Sequence, residues 1–382
     1  MVEECRIALV GTKFMGRAHA NAWSQAPRFF PSTLRPKLEV VVGRDREALE
    51  TFAANWGAAR SETRWRRAVQ DAAVDLVDLC TPNNLHAEPA IAALEAGKHV
   101  ACEKPLARDL DEARAMMKAA KKARKSRTFV WFNYRRCPAV GLAHQLVQEG
   151  RLGRIYHARA RYLQSWGGPD TPLLWRFKKR HAGSGAHGDL NAHIVDLCRF
   201  ITGEEITEIH GAISRTFIKE RVDVATGRKG RADVDDAVLF LATLQGGGTA
   251  SFEATRVAHG HLNRNVIEIN GEKGSLRWDF EDLNVLEYLD AADGPRVGGW
   301  RRIVCTSAGN HPYVHAWWPD AHMLGYEHGF VNMAADILRV LAGERPELPL
   351  PDFADAYRTQ RVLEAAMISA KERCAVRLSA VK

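Results

Sequence analysis

The sequence predicts two domains of different class. Residues 1–133 are expected to form an α/β domain on a doubly wound parallel sheet. Residues 134–382 are expected to form an α+β domain, with a large, mostly antiparallel open sheet and helices on one face. Three observations carry this. A chain of 382 residues exceeds one ordinary domain. Short apolar strands alternate with helical periodicities up to residue 132, the pattern of a parallel sheet wound on both faces. From Ile155 onward, long alternating strands take over, joined by turns such as Gln245-Gly246-Gly247-Gly248 and Asn270-Gly271-Glu272-Lys273-Gly274.

The chain opens on the apolar strand Cys5–Val10, the turn Gly11-Thr12-Lys13-Phe14-Met15-Gly16 and a helix through Trp23. Strand, glycine turn and helix are the setting of a dinucleotide fingerprint. Lys13 stands where the second glycine is usual, and a cation there suits the phosphates at a helix N-terminus. Residues 38–43 form the second strand, followed by Arg44 and Asp45. An acid at this point holds a ribose hydroxyl and an arginine accommodates a 2′-phosphate, so NAD and NADP both stay open. The strand 76–80 ends in Thr81-Pro82-Asn83-Asn84-Leu85-His86, and the strand 99–102 ends in Glu103-Lys104-Pro105. Both loops lie at carboxyl ends of parallel strands, where ligands bind. Proline keeps Lys104 out of helical geometry and admits a cis bond before it. A helix over 109–125 and a strand over 128–132 complete the domain, followed by Asn133 and Tyr134.

A helix is expected over 137–149, then strands at 155–164, 206–217, 235–245, 248–257, 263–270, 275–280 and 284–289. The stretch Gly183–Phe200 is glycine-rich, then helical, and packs on that sheet. Asp189 is expected to cap its helix, with His193 four residues on along the same face. A carboxylate beside an imidazole fixes the tautomer and raises basicity, which a general base for an alcohol proton needs. The cap alone would equally explain Asp189. The block Trp317–His328 is rich in aromatics and histidine, which suits either a sugar pocket or a buried aromatic corner. Helices at 327–342 and 352–373 close the chain.

Net charge is +8, with the densest basic run at Lys118–Arg127. That run lacks interleaved aromatics and reads as a solvated helix end, so no nucleic-acid partner is expected. No apolar run spans a membrane, and the N-terminus leads straight into a strand without a leader pattern. Seven scattered cysteines without Cys-x-x-Cys spacing argue for free thiols in a reducing cytoplasm. His187, Asp189 and His193 lack the spacing of a zinc helix, and no metal is expected. The open sheet face predicts a homodimer or homotetramer.

The order of these motifs resembles the glucose–fructose oxidoreductase / inositol dehydrogenase (Gfo/Idh/MocA) oxidoreductases along nearly the whole chain. The resemblance rests on Gly11…Gly16, Thr81-Pro82…His86, Glu103-Lys104-Pro105 and Gly188-Asp189…His193. Phe14–His19, Trp175-Arg176-Phe177 and Trp317–Tyr326 are most similar to the branch containing levoglucosan dehydrogenase and other sugar or glycoside 3-dehydrogenases. It implies an N-terminal Rossmann domain and hydride transfer between a carbohydrate or cyclitol hydroxyl, with pyranose C3 one candidate, and NAD, narrowly preferred over NADP. Lys104 would polarise the hydroxyl and steady the alkoxide. His193 would take the proton, and Asp189 would orient His193 or bind a substrate hydroxyl. Trp175 and Arg176 would hold the carboxamide end of the cofactor, with Gly11, Lys13, Phe14, Met15, Gly16, Arg44, Asp45, Thr81, Pro82, Asn83, His86 and Glu103 its other contacts. Tyr134, His322 and Tyr326 would join Lys104, Asp189 and His193 around the substrate. A keto-sugar reductase uses the same residues in reverse. A catalytically silent dinucleotide sensor would share the fold but would not need Lys104, Asp189 and His193 together.

Overall fold

A computed structural model describes residues 3–382; Met1 and Val2, at the start of the first expected domain, lie outside the described residues. The chain forms two compact units. One holds the residues up to Arg136 with Pro312–Trp318 and Gly325–Tyr357. The other holds Cys137–His311, Pro319–Leu324 and Arg358–Lys382.

The first unit is built on six parallel strands: β1 (Glu3–Val10), β2 (Leu34–Val42), β3 (Arg60–Glu62), β4 (Leu76–Leu79), β5 (His99–Cys102) and β6 (Thr128–Val130). Their order is β3-β2-β1-β4-β5-β6. The winding reverses between β1 and β4, which places a ligand crevice at their carboxyl ends. Ile7, Leu9, Val41, Val77 and Val100 are wholly buried, as expected of strands covered on both faces. β2 starts earlier than the sequence suggests and runs through Pro36. The proline is tolerated because β3 pairs only with Val40–Val42, leaving β2 a neighbour on one side there. The basic run falls on the last turn and exit of helix Leu110–Lys122, where cations oppose the helix dipole.

A buried polar network explains why later segments return to this unit. Arg136 Nε lies 3.2 Å from Asp336 Oδ2, and the Tyr313 hydroxyl donates to the same oxygen at 2.7 Å. The Glu347 backbone N–H donates to Asp336 Oδ1 at 2.8 Å, and Asn332 Nδ2 donates to the Arg136 carbonyl at 3.0 Å.

The second unit holds a nine-stranded sheet and a separate hairpin. In chain order the strands are β7 (Ile155–Leu163), β8 (Ile206–Arg215), the hairpin β9 (Glu220–Val222) and β10 (Lys229–Arg231), β11 (Ala237–Leu244), β12 (Thr249–Thr255), β13 (Arg264–Gly271), β14 (Gly274–Asp279), β15 (Val285–Asp290), β16 (Arg301–Val304) and β17 (Val376–Arg377). The sheet runs β16-β15-β14-β13-β7-β12-β11-β8-β17, and every neighbouring pair is antiparallel except β12 with β7. The expected strands all form. The two edge strands β16 and β17 are too short to leave a periodic signal. Alternation is strict where it matters: Phe240 and Phe252 stack at 4.7 Å on the buried face, while Leu239 and Leu241 point outward. Helix Ala192–Thr202 lies on that buried face, and all its residues are buried.

The seven cysteines are free thiols. Among the described residues no helix is long and apolar enough to cross a membrane.

Candidate active site

In the first unit, two glycines let helix Phe14–Phe29 start flush against the strand ends. Gly11 has φ +108°, and a Cβ on it would lie 2.7 Å from the Cys80 carbonyl oxygen. A Cβ on Gly16 would lie 2.1 Å from the Gly11 carbonyl oxygen. Only glycine satisfies both positions. The helix begins after Lys13 with no side-chain cap and no acid in its first turn, so its free N–H groups and positive end are left for an anion. Lys13 is exposed beside it. These features suit the pyrophosphate of a dinucleotide. After β2, Asp45 caps helix Arg46–Trp56, accepting from Ala48 N at 3.2 Å, with Arg44 exposed beside it.

The loops after β4 and β5 are tied together by His86, which is fully buried. Its Nε2 lies 2.8 Å from the Thr81 carbonyl, and its Nδ1 lies 3.2 and 3.3 Å from the Pro105 and Leu106 carbonyls. Burial pulls its pKa down, while the bonds to the Thr81, Leu106 and Pro105 carbonyls pull it up. With both nitrogens engaged by backbone, His86 joins two loops that flank the crevice. Thr81 donates its hydroxyl to the Leu85 carbonyl at 3.1 Å around the single turn Asn83–Leu85. The Lys104–Pro105 peptide is cis.

Beneath that loop lies a polar network that the sequence reading did not identify. Asp78, in the middle of β4, is wholly buried and accepts from Trp23 Nε1 at 2.7 Å and Trp131 Nε1 at 2.9 Å. His19 Nδ1 lies 3.0 Å from Asp78 Oδ2, and His19 Nε2 lies 3.1 Å from Glu103 Oε1. Glu103 Oε2 accepts the backbone N–H of Lys104 at 3.1 Å. Burial is the largest single influence and opposes a charge on His19, but the charge and hydrogen bonds of its neighbours, Asp78 foremost, together outweigh it and hold the imidazole well above its ordinary range. Cys80 Sγ sits 3.0 Å from His19 Nδ1, and burial pushes that thiol up to about 12, so the sulfur is neutral near pH 7. His19, Asp78 and Cys80 could be imagined as metal ligands. The N–H groups of Trp23, Trp131 and His19 already occupy the carboxylate, and a cation would have to displace them. The sequence held one signal, a charge inside the apolar strand Leu76–Leu79, but nothing in it named the partner.

Three expected contacts come together in this unit. Tyr326 stacks near Phe14 with centroids 6.4 Å apart, and the Tyr134 ring lies 6.5 Å from it. Phe14 is 55% exposed, so the cluster has a face that reaches solvent. Trp317 behaves differently. Its indole N–H donates to Asn332 Oδ1 at 2.9 Å, and its ring packs on Phe29 at 4.3 Å and His328 at 4.4 Å, which makes it an aromatic corner. His322 is exposed in the second unit, with Nδ1 2.8 Å from the Pro319 carbonyl.

The second unit holds Asp189 and His193. The expected cap does not form. Residues His187–Asn191 make a π-helical turn, and Asp189 lies inside it. The start of this segment is instead held by Asp235, whose carboxylate accepts from Gly185 N at 2.7 Å and His187 N at 2.8 Å. A Cβ on Gly185 would lie 1.7 Å from the Asp235 carbonyl, which explains the glycine. Asp189 Oδ2 accepts from Arg256 Nη2 at 2.8 Å. The Arg256 side chain is 2% exposed and lies 5.1 Å over the Trp166 ring. Its Nη1 reaches the Arg176 carbonyl at 3.4 Å, while the Arg176 guanidinium lies 4.5 Å over Trp175. His193 is buried, with its ring 5.9 Å from that of Tyr162. His187 has both ring nitrogens occupied: Nε2 faces the Leu363 carbonyl at 2.8 Å and Nδ1 faces Asn191 Nδ2 at 2.9 Å. Burial pulls its pKa down, consistent with a neutral structural imidazole. Arg256 and Asp235 escaped the sequence reading because their partners lie 67 and up to 50 positions away.

The model of an oxidoreductase family with an NAD-binding Rossmann fold matches residues 5–131, and that of the GFO/IDH/MocA C-terminal domain matches residues 140–277. Levoglucosan dehydrogenase from Pseudarthrobacter phenanthrenivorans is 38% identical over 384 residues, covering 97% of each chain. Among solved structures, an oxidoreductase domain protein from Kribbella flavida has a TM-score of 0.94 at 50% identity, covering 99% of this chain and 100% of that one. A levoglucosan dehydrogenase in complex with NADH and L-sorbose has a TM-score of 0.93 at 38% identity, covering 98% and 99%.

Proposed function

We propose that this chain, which belongs to the Gfo/Idh/MocA family of NAD-binding oxidoreductases, transfers hydride between NAD and the carbon bearing a secondary hydroxyl of a sugar, glycoside or cyclitol, with pyranose C3 one candidate position. The likeness to levoglucosan dehydrogenase along nearly all of both chains supports this substrate class. Bound NAD supplies the hydride acceptor. The turn Gly11–Gly16, with Lys13, Phe14 and Met15, seats its phosphates. Arg44 and Asp45 face the ribose, Thr81, Pro82 and Asn83 line the crevice, and Trp175 and Arg176 hold the carboxamide end. His86 and Glu103 brace the two loops. Lys104 polarises the hydroxyl and steadies the alkoxide. His193 accepts the hydroxyl proton, so a ketone forms as hydride leaves the carbon. Asp189 orients His193 or binds a neighbouring hydroxyl. Tyr134, Tyr326 and His322 contact the sugar. The observation that carries the reading is Lys104, a cation at the carboxyl end of β5 whose backbone N–H is gripped by Glu103. An acid–base group of this kind contributes about 10²–10⁴ in rate. Lys104→Ala should therefore lower turnover by about that factor and leave dinucleotide affinity close to wild type. Weakened binding with unchanged turnover would contradict the role.

A homo-oligomer, dimer or tetramer, through the outer sheet face accompanies this proposal. Ile213 and Leu239 are paired neighbours on β8 and β11, 54% and 41% exposed, and Leu241 beside them is 58% exposed. Light scattering that finds only monomer would refute it.

A further inference from the structure

The polar network below Lys104 is more elaborate than the core requires. Buried charges are costly, and a well-packed apolar core is commonly as stable or more so. Yet Trp23 and Trp131, His19, Asp78 and Glu103 form one continuous chain of hydrogen bonds. It ends on a single group, the backbone N–H of Lys104.

His19 is the link that makes the chain rigid. Each of its nitrogens faces a carboxylate, so both donate and the ring grips Asp78 and Glu103 together. Asp78 is immobilised from behind by two indole N–H groups. Glu103, 4% exposed, has one oxygen on His19 and the other on the Lys104 amide. The rings of Trp131 and Phe330 lie 4.0 and 5.7 Å from the imidazole, and the titratable groups facing it are Asp78, Glu103 and the neutral thiol of Cys80.

We propose that His19 is a positioning residue: clamped between Asp78 and Glu103, it locks Glu103 onto the backbone amide of Lys104 and thereby fixes the point from which the Lys104 side chain departs. This rests on the reading of Lys104 as the group that steadies the alkoxide. Misplacement of a reacting group by about 1 Å costs on the order of a hundredfold in rate.

The test uses the full chain with NAD and a turned-over sugar. His19→Ala and Glu103→Ala should each lower kcat by about a hundredfold while dinucleotide affinity by calorimetry stays at the wild-type value. Glu103→Gln has one acceptor oxygen where Glu103 uses two, so it can hold the Lys104 amide but no longer accepts from His19 as well, and should restore only part of the loss. In a Lys104→Ala background, Glu103→Ala should cost nothing further, because its effect passes through Lys104. Folded variants with lowered melting temperature but wild-type kcat would overturn the inference and leave the network purely structural. If His19→Ala does not fold, the Glu103 pair decides alone. An inactive Lys104→Ala beside a fully active Glu103→Ala would sink only this inference. A fully active Lys104→Ala would remove the reading beneath it, and this inference with it.

Discussion

Asp189 and Arg256 form an ion pair whose two halves are unequally buried, and that asymmetry sets what each substitution costs. The Arg256 side chain is 2% exposed and the Asp189 side chain 23%. Asp189→Ala leaves a buried guanidinium without its carboxylate, the situation that costs about 3–5 kcal/mol in proteins. Arg256→Met removes the buried charge, keeps most of the packing volume and leaves Asp189 within reach of water. Its cost should be about 1–3 kcal/mol, the range for a lost hydrogen-bond partner. The double variant should be more stable than Asp189→Ala alone, since the stranded cation is gone. Urea unfolding followed by circular dichroism measures all four proteins. At about 2–4 °C per kcal/mol, Asp189→Ala should lower the melting temperature by roughly 10 °C. Arg256→Met costing as much as Asp189→Ala, or strictly additive effects in the double variant, would refute the view that Asp189 is the counter-ion of Arg256.

Gly16→Ala places a Cβ 2.1 Å from the Gly11 carbonyl, so the first turn of the helix must move. Stability should fall by about 1–3 kcal/mol and dinucleotide affinity should drop with it, and wild-type affinity by calorimetry would contradict the cradle. The folded pKa of His19 is raised above its unfolded value, chiefly by Asp78 acting against burial. Its stabilising contribution is therefore complete below the ordinary imidazole pKa and fades as pH rises through the folded value. The melting-temperature gap between wild type and His19→Gln should narrow on the alkaline side. A gap that widens with pH would show that the ring is not held as a cation.

The parallel half of the fold was legible because buried strands are short continuous apolar runs that end in glycine or proline turns, as Leu9–Gly11 and Ala101–Pro105 do. The antiparallel half was legible from alternation, as in β11, where Phe240 turns inward between Leu239 and Leu241. Strands of two to four residues, such as β3 and β17, carry too few positions for any period. Periodicity placed Asp189 at the cap of an α-helix, whereas it lies inside a π turn and its carboxylate accepts from Arg256, 67 positions away. The aromatic block 317–328 read as one unit, but Tyr326 joins Phe14 and Tyr134 while Trp317 fills a corner, since stacking partners come from other segments. The buried network was half visible. Asp78 is conspicuous in an apolar strand, but its partners stand 53 to 59 residues away, beyond any local pattern.

The most direct test of the proposed chemistry is the absorbance of reduced nicotinamide, with NAD or NADP supplied to the purified protein alongside pyranoses, glycosides, anhydrosugars and inositols, and His193→Ala in parallel. The proposed mechanism predicts reduction of NAD with one carbohydrate class, lost in the variant. Tight dinucleotide binding with no reduction by any of these substrates, and no oxidation of NADH by the corresponding keto-sugars, would contradict it and mark the chain as a dinucleotide-binding sensor.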